Sequence, residues 1–111
     1  MKRWKRHLLP VLLLVATQAA WADNAGLMAQ GRLLFKQQSA MPACALCHTL
    51  KDAGAQGEVG PSLDELKPDA ARVAKALRNG IGQMPSYRGK LTEQQIENLA
   101  RYVAQASGAP R

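Results

Sequence analysis

Residues 44–48 read Cys44-Ala45-Leu46-Cys47-His48, and this stretch decides what the fold has to accommodate. Two cysteines three positions apart lie on one face of a helical turn, so both thiols can reach neighbouring vinyl groups along one edge of a porphyrin. The histidine that follows can then turn its imidazole toward the iron as the proximal ligand. This is the spacing required for covalent attachment of a c-type haem. The motif therefore predicts one haem c, joined by thioether bonds to Cys44 and Cys47 and ligated by His48.

The first 22 residues have the parts of a secretion signal. A basic start is followed by an apolar run over residues 8–16, and Ala20-Trp21-Ala22 supplies the small-x-small pattern of a cleavage site. The run is shorter than the roughly 20 residues that span a bilayer, so an uncleaved anchor is the less favoured alternative. We expect cleavage after Ala22 and export of residues 23–111 to the bacterial periplasm as one soluble domain.

Removal of this segment changes the charge and leaves a single histidine. The chain of 111 residues carries 15 basic and 8 acidic residues, but four of the basic ones precede residue 23, so the remaining net charge is +3. The basic character of the whole chain therefore gives no reason to infer nucleic-acid binding. Because His7 lies in the expected signal, His48 is the one imidazole left to bind iron. A domain this small benefits from a large cofactor that completes its core.

Apolar residues at helical spacing predict an all-α fold of about four short helices. The expected helices cover residues 23–38, 44–50, 68–79 and about 92–107, with glycine- and proline-containing loops at 51–62 and 81–90. Pro68 suits a first helical position, and Gly80 suits a helix stop. Thr92 with Gln95 has the pattern of a capping box. No run of alternating β-branched residues predicts a strand.

A six-coordinate iron needs a second ligand opposite His48, and the candidates are methionines. Met28 falls inside the first helix, where filling the core is the usual role, and Met41 lies too close to the first cysteine to reach the opposite face. Met84 lies 36 residues after His48, in a loop between two helices. A loop can present the thioether without crowding the porphyrin, so we predict Met84 as the second iron ligand. A buried apolar contact is the alternative.

Three motifs in this order resemble the class I monohaem cytochromes c. Cys-x-x-Cys-His is followed by Gly60-Pro61-Ser62-Leu63 and then by a Met84-Pro85 loop before the last helix, and the likeness covers most of residues 24–107. The resemblance implies a small cytochrome c fold wrapped around one covalent haem. It also implies that the Pro61 carbonyl accepts a hydrogen bond from the His48 imidazole, which would fix the tautomer of the ring. An ordinary loop proline is the alternative.

The same resemblance has consequences for the core. It places Gly31 and Phe35 of the first helix against Tyr102 of the last, at a crossing where glycine allows close approach. An apolar cleft would hold the haem, and its expected lining is leucine: Leu34, Leu46, Leu63, Leu77 and Leu99.

A narrower resemblance is to the haem subunit of bacterial sulfite dehydrogenases (sulfite:cytochrome c oxidoreductases). It rests on residues 44–55, 59–69 and 79–87. The resemblance implies that a molybdenum subunit oxidises sulfite and passes single electrons to this chain, which passes them on to another cytochrome c or an oxidase. The chain would then have no catalytic residues of its own and would act as the electron-transfer subunit of an oxidoreductase.

Basic and aromatic residues near the motifs have less specific roles. Tyr87 and Arg88 follow Met84 closely and are candidates for contacts with the haem propionates, although a solvated loop with one half-buried tyrosine is an equal alternative. Basic side chains between Lys67 and Arg78 form either a docking strip for an acidic partner or an ordinary solvated helix face, and the second is favoured.

Other functions stay open on the sequence alone. The chain could be a freely diffusing monohaem cytochrome that serves another respiratory enzyme. A haem protein with an open sixth site would bind ligands or catalyse a reaction, but no histidine remains to serve in a distal pocket. Without haem, the two cysteines would form a short disulfide, a thiol-disulfide centre or part of a zinc site.

Overall fold

The structure is a computed structural model that describes residues 23–37 and 42–110. The expected secretion signal and Met41 lie outside the described residues. In the described part the chain is mainly helical, as predicted, with five α-helices, one 3₁₀ helix and a two-stranded sheet. The elements are α1 (23–36), α2 (Cys44–Cys47), β1 (Thr49–Leu50), the 3₁₀ helix (Lys51–Ala53), β2 (Ala55–Gln56), α3 (Leu63–Leu66), α4 (Ala70–Asn79) and α5 (Glu93–Ser107).

The first and last helices cross at a glycine. A Cβ placed on Gly31 would lie 2.2 Å from the Cβ of Tyr102, so no other residue fits here without displacing a helix. The Phe35 ring packs edge-to-face on Tyr102, with ring centroids 6.3 Å apart and planes at 61°. Both aromatic side chains are almost completely buried. The predicted packing of α1 on α5 is confirmed.

Asp52 joins three elements at this crossing. Arg32 of α1 donates to both carboxylate oxygens of Asp52, at 3.1 and 3.2 Å. The Tyr102 hydroxyl of α5 donates to Oδ2 of the same carboxylate at 2.6 Å. Because Asp52 lies in the 3₁₀ helix, the network fixes the segment after the Cys-x-x-Cys-His motif against both terminal helices.

The segment predicted as a loop at residues 51–62 contains regular structure, so that prediction was wrong in part. β1 and β2 pair antiparallel, with Thr49 opposite Gln56 and Leu50 opposite Ala55. Gly54 makes the turn between the 3₁₀ helix and β2 with φ 63°, a conformation that glycine adopts without strain. With two residues in each strand, no alternating pattern can develop in the sequence.

The ends of α4 and α5 follow the capping rules. Asp69 is the N-cap of α4 and accepts a hydrogen bond from the Arg72 amide at 2.8 Å, so the prediction that Pro68 is the first helical residue was wrong. α4 ends at Gly80, as predicted. α5 begins with the predicted reciprocal bonds between Thr92 and Gln95.

The core lies where α4 and α5 pack on each other and on the motif segment. Its largest buried side chains come from every part of the described chain: Tyr102, Phe35, Leu50, Leu77, Ile96 and Leu99. Across residues 23–37 and 42–110, no helix is long and apolar enough to cross a membrane.

Candidate haem site

Two adjoining cavities, each of about 390 Å³, lie between the motif segment and the α4–α5 layer. Four residues line both cavities: His48, Pro61, Ile81 and Met84. The two predicted iron ligands therefore line the same pair of cavities, although they lie 36 positions apart along the chain. Each volume falls within the range of about 300–1,000 Å³ that is typical of sites for small molecules and cofactors.

His48 is held in position by its neighbours along the chain. Its amide donates to the carbonyl of Cys44 at 3.0 Å, which closes the single turn of α2. Its ring Nδ1 lies 2.7 Å from the Pro61 carbonyl oxygen. A Cβ on Gly60 would lie 2.6 Å from the ring carbon Cε1, so the imidazole occupies space that only glycine leaves open. The contact that the resemblance implied for Pro61 is thus present in the geometry.

Met84 sits in a tight loop that leaves α4. Its amide and carbonyl exchange hydrogen bonds with the carbonyl and amide of Ile81, at 2.9 and 3.0 Å. Gly80 turns the chain at φ 71°, and a Cβ there would lie 2.8 Å from the Met84 carbonyl oxygen. Met84 is half-buried and packs against the core. The loop therefore presents the thioether at the boundary of both cavities from a defined backbone.

The two cysteines line the second cavity and not the first. Both thiols are free, which excludes the short structural disulfide in this structure. Burial raises the pKa of the Cys44 thiol to about 11. In the described ranges, no three His, Cys, Asp or Glu side chains group closely enough to hold a metal ion.

The other predicted contacts are only partly brought together. Tyr87 lines the second cavity and is buried, and its hydroxyl donates to the Pro42 carbonyl. Burial raises its pKa to about 12. Arg88 lines neither cavity, and its side chain instead contacts the end of α4. The propionate contacts predicted for these two residues stay predictions.

The predicted apolar lining is correct for three of five leucines. Leu63, Leu77 and Leu99 line the first cavity. Leu34 packs against the core but lines neither cavity, and Leu46 is 56% exposed on the outer face of α2. The Leu46 prediction was wrong because the motif turn places its cysteines and histidine at the cavities and leaves Leu46 facing outward.

Sequence reasoning assigned Arg72 and Lys75 to a basic strip on the protein surface, and it missed both their place at the polar end of the first cavity and that of Asn79. Arg72, Lys75 and Asn79 of α4 line that cavity. Their spacing of three and four residues places them on one helix face, which is the signal that could have identified them. Arg78 of the predicted basic strip lies elsewhere, since its guanidinium pairs with Glu93 and Glu97 of α5.

The residues present fit a covalent haem. Two thiols line one cavity, an imidazole and a thioether line the space common to both, and leucine, valine and proline side chains line most of the rest. The glycine beneath the imidazole leaves the ring in place without steric strain. This donor set is the one that binds haem in proteins with mixed histidine and methionine ligation.

Comparisons with known proteins agree with this geometry. Residues 26–103 match the family model described as cytochrome c oxidase, cbb3-type, subunit III. The crystal structure of the c-type cytochrome SorU from Sinorhizobium meliloti is 54% identical and superposes with a TM-score of 0.70, covering 77% of this chain and 95% of SorU.

A curated relative is the menaquinol:cytochrome c reductase cytochrome c subunit of Bacillus subtilis (strain 168), which is 35% identical over 81 residues. The match covers 71% of this chain but only 29% of that longer protein. The chain therefore belongs to the c-type cytochrome family that the matching model describes, and it is an electron carrier with covalently bound haem c.

Proposed function

We propose that this protein is a periplasmic carrier of single electrons whose haem iron is bound by His48 and Met84. The observation that carries the proposal is the shared position of these two side chains at the boundary of both cavities. The bound haem supplies the one-electron chemistry, and the chain sets its ligands and surroundings.

The two iron ligands have distinct tasks. With Nδ1 of His48 donating to the Pro61 carbonyl, Nε2 is left unprotonated and free to bind iron. The thioether of Met84 is a softer ligand that raises the potential relative to two imidazoles. Because hydrogen bonds hold the His48 ring and the Met84 backbone, we expect little rearrangement with a change of oxidation state.

The position of the cysteines orients the cofactor. Cys44 and Cys47 line the second cavity and would hold the vinyl-derived edge of a haem there through thioether bonds. The propionates would then point away from the cysteines, where Arg72 and Lys75 of the first cavity could pair with them. We therefore prefer these two residues to Tyr87 and Arg88 as propionate contacts.

The electron donor that we propose is a molybdenum subunit that oxidises sulfite. Residues 44–55, 59–69 and 79–87 carry the resemblance to the haem subunit of bacterial sulfite dehydrogenases, and the 54% identity to SorU spans nearly all of that cytochrome. The signal-like residues 1–22 support export before haem attachment. An electron acceptor such as another cytochrome c or an oxidase would complete the route.

Stopped-flow reduction of the matured protein tests the donor. Sulfite alone should leave the haem oxidised, and sulfite with a purified molybdenum sulfite-oxidising subunit should reduce it within seconds. Reduction that is equally slow with and without the molybdenum subunit would contradict this donor while leaving the electron-carrier function intact.

A second candidate is a carrier for a different respiratory enzyme. The 35% identity to a cytochrome subunit of a menaquinol:cytochrome c reductase favours this alternative. Rapid reduction by a quinol-oxidising complex, with no response to the sulfite-oxidising subunit, would establish it. A haem protein with an open sixth site is less well supported, because Met84 lines the same space as His48.

A further inference from the structure

The loop after Met84 is tied back to the end of α4. The Ser86 hydroxyl donates to the Arg78 carbonyl at 2.5 Å, and Nε of Arg88 donates to the same oxygen at 3.0 Å. Nη2 of Arg88 also reaches Oδ1 of Asn79 at 3.3 Å. The last carbonyls of a helix have no partner within the helix, and a nearby cation is favourable there. We refer to these contacts of Ser86 and Arg88 as the loop clamp.

The clamp is continuous with other bonds around the methionine. The Tyr87 amide donates to the Leu77 carbonyl at 2.7 Å, in the last turn of α4. The Ser86 hydroxyl also accepts from the Arg88 amide at 3.2 Å, which holds the two clamp residues together. Residues on both sides of Met84 are therefore fixed to one helix end.

The helix end itself is anchored. Arg78, whose carbonyl accepts two of the three clamp bonds, pairs through its guanidinium with Glu93 at 2.9 Å and with Glu97. These glutamates belong to α5, which supplies much of the core. The methionine loop is thus connected through Arg78 to the most buried helix of the described chain.

We propose that Arg88 is a positioning residue that keeps Met84 on the iron. The inference rests on the proposed iron ligation. A loop already fixed in its bound conformation loses little entropy when the thioether binds, so the clamp raises the occupancy of the methionine-bound state. The planar guanidinium serves two acceptors at once, which a lysine ammonium on a flexible stem does less well.

Competition by free imidazole measures this effect in the oxidised protein. Imidazole binds the iron only when Met84 has left, so its apparent affinity reports the fraction of open loop. We expect Arg88→Ala to bind imidazole about threefold to tenfold more tightly, as loss of about 1 kcal/mol of loop stabilisation would give. Arg88→Lys should fall between Arg88→Ala and wild type, and Ser86→Ala should shift in the same direction by less.

Arg101→Ala is the matched control, because Arg101 is an exposed arginine of α5 that lines neither cavity. It should bind imidazole as wild type does. If Arg88→Ala and Ser86→Ala both retain the wild-type affinity while the wild-type protein shows the far-red methionine–ferric band, the positioning role is wrong and the proposed ligation stands. Absence of that band in the wild-type protein would overturn both.

Discussion

Nδ1 of His48 lies 2.7 Å from the carbonyl oxygen of Pro61, and Gly60, directly before this proline, lies beneath the same imidazole ring. The Pro61 carbonyl therefore holds the imidazole by a hydrogen bond, and the absence of a side chain on Gly60 leaves space for the ring. The Gly60 amide also donates to the Cys47 carbonyl at 2.7 Å, so Gly60 is bonded to the motif through its backbone as well. This relationship explains how a motif on a single helical turn obtains a rigid histidine.

Gly60→Ala should displace the His48 imidazole. The added Cβ would lie 2.6 Å from Cε1 and 3.0 Å from Nδ1, so the ring must shift and the bond to Pro61 must weaken. We expect a lower yield of matured haem protein and a loss of about 1–3 kcal/mol in the free energy of unfolding, as for overpacked interiors. The ratio of haem to protein and urea unfolding provide the measurements.

The control for this change is Gly26→Ala, because no atom beyond its chain neighbours and the backbone of its own helix lies within 4 Å of the added Cβ. If Gly60→Ala matured and unfolded like the wild-type protein, the close approach at the imidazole would have no energetic importance.

Gly31→Ala should separate α1 from α5. Its Cβ would overlap Tyr102, at 2.2 Å from one carbon and 2.3 Å from the next, and both helix backbones resist movement. We expect Gly31→Ala to lower the free energy of unfolding by about 2–3 kcal/mol. Gly26→Ala in the same helix should raise it by up to about 1 kcal/mol, because alanine has the higher helix propensity. Thermal unfolding of the two variants beside wild type gives the comparison, and equal melting temperatures would refute the close crossing.

The stability of the protein should fall as the pH rises above about 10. Burial raises the pKa of Tyr102 above its usual value of about 10, and its hydrogen bond to the Asp52 carboxylate raises it further, while Arg32 opposes this in part. Between the unfolded and folded pKa values the folded state binds more protons, so unfolding becomes more favourable with increasing pH.

Tyr102→Phe separates this contribution from others. At pH 7 the variant should lose about 1–2 kcal/mol with the hydrogen bond to Asp52, and its stability should then decline less than that of wild type between pH 9 and 11. Urea unfolding across this range measures the difference. If the free energies of unfolding of the two proteins decreased equally with pH, the titration of Tyr102 would not contribute to the pH dependence of stability.

Arg72→Gln and Lys75→Gln should each lower the reduction potential. A positive charge beside the haem favours the reduced state, and an exposed pair is worth about 0.2–1 kcal/mol, or about 10–40 mV for one electron. The potential should also become more pH-dependent near neutrality, since a propionate without its cation holds its proton more firmly. Spectroelectrochemical titration between pH 5 and 8 measures both effects.

The matched control for charge is Arg101→Gln, which removes a charge from α5 and not from a cavity. A potential that shifts equally in all three variants would indicate a general charge effect and no specific contact with the propionates.

Local sequence patterns predicted the parts of the fold that local chemistry determines. The ends of α5 follow from Thr92, Gln95 and Gly108, whose capping roles depend only on neighbouring residues. The Gly31–Tyr102 crossing needed a family resemblance, because no local rule joins residues 71 positions apart. α3 and the β1–β2 pair escaped prediction because each has too few residues for a hydrophobic period to develop.

The site residues also fall into two groups, those that a local motif identifies and those that only the folded structure identifies. Cys44, Cys47 and His48 follow from the spacing of one motif, whereas Arg72 and Lys75 are identified only when α4 is placed against the first cavity. Arg88 was predicted at the haem because it is close to Met84 in sequence; its side chain contacts the end of α4, and its contact with a propionate stays a prediction.

The central claim is that His48 and Met84 bind the haem iron from its two opposite faces. The absorption spectrum of the matured protein, oxidised and then reduced, with and without carbon monoxide, tests it most directly when wild type is compared with Met84→Ala. We predict a c-type reduced spectrum, a weak far-red band in the oxidised wild-type protein and no shift with carbon monoxide, with loss of the band and ready carbon monoxide binding in Met84→Ala. Identical spectra for the two proteins, or carbon monoxide binding by wild type, would contradict the account.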